Sequence, residues 1–158
     1  MPHGLLPAEA VERICAERGV RLTALRRLAF QVLLEADGPV GAYDLLKTLA
    51  LRLGRPLAPP TAYRALDFLL EQGFVSRIET RNAFVPCSQP GGGQRSVFFL
   101  CNHCGAAVET SAGAIGDALA QRAEMLGFQV GRRVVEVEGT CADCLKADLD
   151  AQQAGSRA

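Results

Sequence analysis

A chain of 158 residues can hold one compact domain or two small ones, and 49% hydrophobic residues are enough to build a core. No apolar run reaches 18 residues, which excludes a membrane-spanning helix, and the first ten residues lack the pattern of a secretory signal. We therefore expect a cytoplasmic protein with no membrane partner. Thiols stay reduced there, so paired cysteines indicate metal or redox chemistry rather than structural disulfides.

The formal net charge is zero, so the total charge does not point to a nucleic-acid partner. Its distribution is more informative. Residues 1–81 carry 11 Lys and Arg against 9 Asp and Glu, a net charge of +2. Residues 82–158 carry 6 against 8, a net charge of −2. This mild asymmetry permits a DNA-binding first half without establishing one.

The first half of the chain predicts several helices followed by a β-hairpin. Apolar residues recur at helical spacing over residues 8–19, from Thr23 to Leu33, over 42–53 and over 61–72. Two short strands follow at 74–79 and 83–87, with a turn between them. This order is typical of a winged helix-turn-helix, and the fourth helix would be the one that enters a DNA groove.

The second half begins after SQPGGGQR, residues 88–95, which has the composition of a linker. Strands are expected at 96–100 and 106–109, a helix at 112–126, a long strand at 128–139 and a short terminal helix. The predicted fold class is therefore α+β. A winged helix-turn-helix at 1–87 and a hinge at 88–95 precede a small α/β domain at 96–150 and a flexible tail at 151–158.

Two C-x-x-C pairs stand in the second half, CNHC at 101–104 and CADC at 141–144, with 36 residues between them. Tetrahedral Zn²⁺ takes four ligands, and each C-x-x-C turn presents two thiolates. Cys101, Cys104, Cys141 and Cys144 thus predict one closed structural zinc site. Thioredoxin-like redox pairs are the competing interpretation, but two pairs in one small domain favour zinc. A catalytic zinc would need an open position.

The sequence does not indicate an enzyme. It contains no Ser/His/Asp set, no phosphate-binding loop after a strand and no cluster of histidines with carboxylates. The glycines at 91–93 lack a following Lys-Ser or Lys-Thr, so they are interpreted as part of the hinge.

Several stretches together resemble one known family, the ferric uptake regulators, and within it the zinc uptake regulator branch. They are RICAERGVRLTALR, GAYDLL, PPTAYRALDFLLEQGFV, FFLCNHCG and EGTCADC, and the match covers roughly residues 10–146. The resemblance implies a homodimeric, metal-dependent transcriptional repressor that binds double-stranded operator DNA. It also implies that residues 96–150 form a dimerisation domain and that the four cysteines hold one structural zinc per subunit.

The resemblance carries over a set of DNA-facing positions: Thr61, Tyr63, Arg64, Tyr43 and Arg26. Arg can pair bidentately with guanine, and Tyr can pack on sugar or on a thymine methyl group. The alternatives are structural. Arg64 could merely pair with Asp67, three residues on, and Tyr63 could belong partly to the core. Arg26 could simply lie on a solvated charged face.

The chain departs from the zinc branch at a second, sensory metal site. That site uses a His at the start of the wing, a Cys at its end, a His in the interdomain loop and a Glu after the first C-x-x-C. The Cys and the Glu are kept as Cys87 and Glu109, but Ser76 and Gln94 stand at the histidine positions. Only His3 and His103 occur in the chain, and His103 is expected to be exposed or to lie outside the ligand set. Two ligands rarely hold Zn²⁺ well.

Three hypotheses therefore stay open. A second regulatory metal could be held by Cys87 and Glu109 with help from another carboxylate such as Glu79, or no metal is sensed there. The regulator could instead respond to redox state through Cys87, since Cys15 is expected to be buried and inert. The third hypothesis leaves DNA out and makes the protein a zinc-stapled interaction module or a thiol oxidoreductase.

Overall fold

The computed structural model describes residues 5–89 and 96–155, with side chains through residue 151. Two units follow each other along the chain. The first contains, in order, α1 (Ala8–Glu17), α2 (Ala24–Leu34), β1 (Val40–Gly41), α3 (Ala42–Leu53), α4 (Pro59–Glu71), β2 (Val75–Ile78) and β3 (Ala83–Pro86). The second contains β4 (Ser96–Cys101), β5 (Ala107–Ser111), α5 (Gly113–Met125), β6 (Val135–Gly139) and α6 (Ala142–Gly155).

The helix ends of the first unit follow from local chemistry. Thr23 caps α2, and its hydroxyl accepts the backbone N–H of Arg26 at 3.4 Å. Gly54 after α3 and Gly73 after α4 have φ of 63° and 72°, a region that glycine enters without strain. The four predicted helices are thereby confirmed, with ends close to the expected ones.

The core of the first unit lies between the four helices and the wing sheet. Its buried side chains include Phe30 and Leu33 from α2, Leu69 from α4 and Phe74 before β2. The rings of Phe30 and Phe74 meet edge to face with centroids 6.4 Å apart. This core fixes α4 so that its opposite face is turned outward.

The wing sheet has the order β1-β3-β2, with both pairs antiparallel. Strands β2 and β3 with their turn form the wing, residues 75–86, as the sequence predicts. Strand β1 was not predicted because two residues are too few to show an alternating pattern.

In the second unit β4 is central, antiparallel to β5 and parallel to β6. The predicted long strand at 128–139 is wrong in its first half, because only Val135–Gly139 is a strand. Pairing starts at Val97 opposite Val135, close to the start of β4, so the residues before Val135 have no strand to pair with. Helix α6 extends to Gly155, so residues 151–155, which the sequence assigned to a tail, are helical.

A second, smaller apolar cluster joins the two units. It contains Ile78 and Val85 from the wing and Phe98 and Leu100 from β4, with Ala107 packed against them. The wing sheet thus lies directly on the sheet of the second unit. Within the described residues, no helix is both long enough and apolar enough to cross a membrane.

Replacing Phe74 by Ala should lower the free energy of unfolding by about 3–5 kcal/mol, because a fully buried aromatic ring is lost from the core. Urea unfolding of the zinc-loaded protein, followed by circular dichroism, measures this. The control is Leu51→Ala, whose side chain is 82% exposed, and it should change stability by no more than about 0.5 kcal/mol. Equal losses in the two variants would contradict this core.

Candidate metal centre and nucleic-acid interface

The four paired cysteines meet in space. Their sulfur atoms all lie within 4.8 Å of one another. The Sγ atoms of Cys104 and Cys141 are 3.7 Å apart, and those of Cys101 and Cys144 are 3.9 Å apart. A tetrahedral Zn²⁺ with Zn–S bonds of about 2.3 Å requires sulfur atoms about 3.8 Å apart. The four thiols therefore fit zinc at the distances that the ion demands.

Strand register explains how residues 40 positions apart reach one site. Parallel pairing places Cys101, at the end of β4, opposite Gly139, at the end of β6. The backbone N–H of Asn102 donates to the carbonyl of Gly139 at 2.8 Å. The first C-x-x-C turn follows β4 and the second opens α6, so both leave the same edge of the sheet.

The backbone around the cluster stabilises negative charge on one sulfur. Backbone N–H groups, above all those of Cys104 and Cys141, lower the pKa of the Cys101 thiol to about 5. In contrast, hydrogen bonding with the neighbouring Cys141 raises the pKa of Cys144 to about 12. Four thiolates at this separation repel one another, so a divalent cation is what would hold all four in the ionised form.

His103 does not join the cysteine cluster. Its side chain is exposed, and its Nε2 lies 3.9 Å from the carboxylate of Asp148 on α6. This agrees with the expectation from the sequence. Its backbone N–H is 3.4 Å from the sulfur of Cys101. His3 lies outside the described residues.

The first of the altered sensor positions contains a hydroxyl–thiol pair. Ser76 in β2 and Cys87 after β3 are both buried, and Ser76 Oγ lies 3.0 Å from Cys87 Sγ. Burial raises the pKa of the Cys87 thiol to about 12, against a lowering by the Ser76 hydrogen bond and with a further rise from the charge of Glu109. The thiol is therefore protonated at neutral pH while no metal ion is bound to it.

The other retained sensor residue, Glu109, is also occupied. One carboxylate oxygen accepts the backbone N–H and the hydroxyl of Ser88 at 2.9 and 3.0 Å. The other accepts the hydroxyl of Ser96 at 2.5 Å. Glu79, the suggested additional ligand, forms ion pairs with Arg77 and Arg132 instead.

Within the described ranges, the four cysteines form the one group of three or more Cys, His, Asp or Glu side chains placed to hold a metal ion. Gln94, at the position of the loop histidine, lies outside those ranges. The arrangement brings Cys87 near Glu109 without adding a third such ligand.

Helix α4 exposes the side chains proposed to read DNA. Its buried core face is Ala62, Ala65, Leu66, Phe68 and Leu69, and the half-buried Leu70 packs against the same core. Arg64 is exposed, and no ion pair joins it to Asp67 in the described part of the chain. Tyr63 is 52% exposed and Tyr43, at the start of α3, is 67% exposed. Thr61 is half-buried at the beginning of α4.

Arg26 has a different environment. Its guanidinium stacks on the ring of Phe68 at 3.8 Å from the centroid and donates to the carbonyl of Arg21 at 2.6 Å. These contacts give Arg26 a packing role between α2 and α4, which the sequence pattern did not suggest.

Sequence reasoning missed the residues that join the two units. Arg81, in the turn of the wing, donates to the carbonyls of Gly105 and Cys101, both at 2.7 Å. Glu136 in β6 accepts the backbone N–H groups of Glu79 and Thr80 at 2.6 and 3.0 Å. Charged residues are usual at solvent-exposed positions, so nothing in the sequence distinguishes Arg81 and Glu136 from ordinary surface residues.

Several known proteins are similar to this chain in sequence. No family model matches the chain. The zinc uptake regulation protein of Escherichia coli is 43% identical over 141 residues, which cover 87% of this chain and 80% of that protein. The protein of the same name from Mycobacterium tuberculosis is 27% identical over 129 residues, 80% of this chain and 95% of the relative.

Solved structures agree with these relatives. A zinc uptake regulator complexed with zinc and DNA superposes with a TM-score of 0.84 at 40% identity, covering 90% of this chain and 95% of that one. Holo XcZur gives a TM-score of 0.81 at 43% identity, with 88% and 96% covered. The Helicobacter pylori ferric uptake regulator shares the fold at 17% identity and a TM-score of 0.58, covering 90% of this chain and 96% of that one. The chain belongs to the ferric uptake regulator family, in its zinc uptake regulator branch.

Proposed function

We propose that this protein is a metal-dependent, DNA-binding transcriptional repressor of zinc-uptake genes. The observation that carries the proposal is the superposition on a zinc uptake regulator complexed with zinc and DNA, at a TM-score of 0.84 and 40% identity. The winged helix would read an operator, and the protein would act on DNA in the cytoplasm. It is not an enzyme, because its relatives are regulators.

Helix α4 is the proposed recognition helix. Arg64 and Tyr63 project from its exposed face, while five buried side chains hold the opposite face against the core. An arginine without an ion-pair partner is free to form a bidentate contact with guanine O6 and N7. Tyr43 lies at the start of α3, and Thr61 lies in the first turn of α4. We propose Arg64, Tyr63, Thr61 and Tyr43 as direct DNA contacts, with Arg26 supporting α4 from behind.

The second unit supports a homodimer. Twelve large apolar side chains between Phe99 and Leu149 are exposed in the single chain. A surface with this many exposed apolar side chains is typical of a protein–protein interface. We propose that a second copy covers it and that each subunit carries one structural zinc on Cys101, Cys104, Cys141 and Cys144. That zinc would tie the end of β4 to the start of α6 and so stabilise the dimerisation unit.

A second regulatory metal on Cys87 and Glu109 stays a prediction with little support from the geometry. Both side chains form hydrogen bonds with serines, and the Cys87 side chain is fully buried. The same burial argues against the redox alternative, because peroxide reacts with an exposed thiolate. We therefore favour a regulator whose metal dependence comes from the four-cysteine site.

Replacing Arg64 by Ala should weaken binding to a duplex carrying a zinc-uptake promoter by roughly 1–3 kcal/mol, because a bidentate base contact is lost. Fluorescence anisotropy at two salt concentrations measures the affinity. Arg13→Ala removes an arginine that pairs with Glu17 on α1, and it serves as the control with unchanged affinity. An Arg64→Ala variant that binds like the control would contradict the role of α4.

Cys87 should resist alkylation in the native protein. With a pKa of about 12, only a very small fraction of the Cys87 thiol is ionised at pH 8, and the side chain is inaccessible to solvent. Iodoacetamide labelling followed by peptide mass mapping should find Cys87 modified only after unfolding in urea. Modification of native Cys87 at the rate of free cysteine would revive the redox hypothesis.

A further inference from the structure

We propose that this chain closes its two units with a clasp made of protein contacts alone, in which Arg81 is the positioning residue, so that the wing is held without a second metal ion. The clasp is the set of contacts between the wing and the second unit. The proposal rests on the proposed function, since it states how the DNA-binding unit is oriented on the dimerisation unit.

The centre of the clasp is apolar. Ile78 and Val85 on the wing are buried against Phe98 and Leu100 on β4. Apolar contact holds the two sheets together but gives little orientation, because hydrophobic burial is not directional. Directional contacts at the edge are needed to fix the angle of the wing.

Glu136 supplies the first of these directional contacts. Its carboxylate accepts the backbone N–H groups of Glu79 and Thr80 and, at 2.5 Å, the hydroxyl of Thr80. The pKa of Glu136 is lowered by these hydrogen bonds in spite of its burial, so the carboxylate is charged at neutral pH. Arg132, shortly before β6, pairs with Glu79 on the same side. Hydrogen bonds to an ionised acceptor are the stronger kind.

Arg81 supplies the second directional contact, which connects the wing to the four-cysteine site. Its two terminal nitrogens donate to the carbonyls of Cys101 and Gly105. These residues begin and end the CNHCG turn, residues 101–105, and Gly105 closes the turn by donating to Cys101 O at 3.2 Å. Arg81 is half-buried there. A planar guanidinium fits two carbonyls only when their spacing is right, so the contact depends on the shape of the CNHCG turn.

Glu109 supplies the third directional contact, at the position where a second metal ion would bind. The carboxylate on β5 accepts from Ser88, which directly follows Cys87 at the end of the wing. Ser96 at the start of β4 holds its other oxygen. Hydroxyl and amide donors thus perform the connection between wing and second sheet that a cation would perform with two carboxylate or thiolate ligands.

A metal ion can favour a closed arrangement only if it binds that arrangement better than the open one. Among the described residues, the positions where it would bind are Ser76 and Cys87, which contact each other, and Glu109, which accepts three hydrogen bonds. The wing should therefore be closed when the four-cysteine site alone is filled.

Hydrogen exchange of the full-length dimer tests this directly. The protein is first treated with a chelator too weak to strip a four-sulfur site, and its zinc content is measured as one per subunit. Peptides over residues 75–87 then report the amides of Glu79 and Thr80. Adding a second equivalent of zinc should change their exchange rate by less than twofold, whereas Arg81→Ala should raise it by roughly tenfold.

Arg13→Ala is the control, because Arg13 pairs with Glu17 on α1, outside the clasp, and its loss should leave the exchange rate unchanged. If Arg81→Ala loses zinc, the Glu136→Gln variant replaces it, because the Glu136 carboxylate bonds to Glu79 and Thr80 rather than to the CNHCG turn. A tenfold slowing of wild-type exchange by the second zinc would overturn the proposal. So would an Arg81→Ala or Glu136→Gln rate equal to that of the control. DNA plays no part in the measurement, so either result leaves the repressor function to its own test.

Discussion

The meeting of β4 and β6 in parallel register is the constraint on which the rest of the molecule depends. It places Cys101 beside Gly139, and with them the two C-x-x-C turns, at one edge of the sheet. Four sulfurs at zinc-binding distances then tie α6 to that edge. The same turn offers two carbonyls to Arg81 of the wing. One structural ion would thus support both the dimerisation unit and the orientation of the DNA-binding unit.

The altered sensor position changes how this fold can respond to metal. Imidazole and thiolate are good donors for Zn²⁺, while a serine hydroxyl is a weak one. Ser76 pairs with the Cys87 thiol, and the serines around Glu109 satisfy its carboxylate. A site of this kind is stable without an ion, since its buried polar groups already have partners. Any dependence of the protein on zinc would then come from the four-cysteine site.

The helices and the metal site could be predicted from the sequence because their signals are local. Thr23, Gly54 and Gly73 mark helix ends, and each C-x-x-C carries its own geometry. Strand β1 is too short to show a period, and the extent of β6 depends on where its partner begins. The contacts of Arg81 and Glu136 could not be predicted, since Arg81 bonds to residues 20 and 24 positions away and Glu136 to residues 56 and 57 positions away. The packing of Arg26 on Phe68 was missed for the same reason.

The most direct test of this account combines zinc analysis with DNA binding in one sample. Protein treated with a chelator too weak to strip a four-sulfur site is assayed for zinc and for specific, salt-dependent binding to a zinc-uptake promoter. One zinc per subunit and full affinity are expected, with no gain when more zinc is added. Protein that contains one zinc per subunit but binds the promoter only after taking up a second would contradict this expectation.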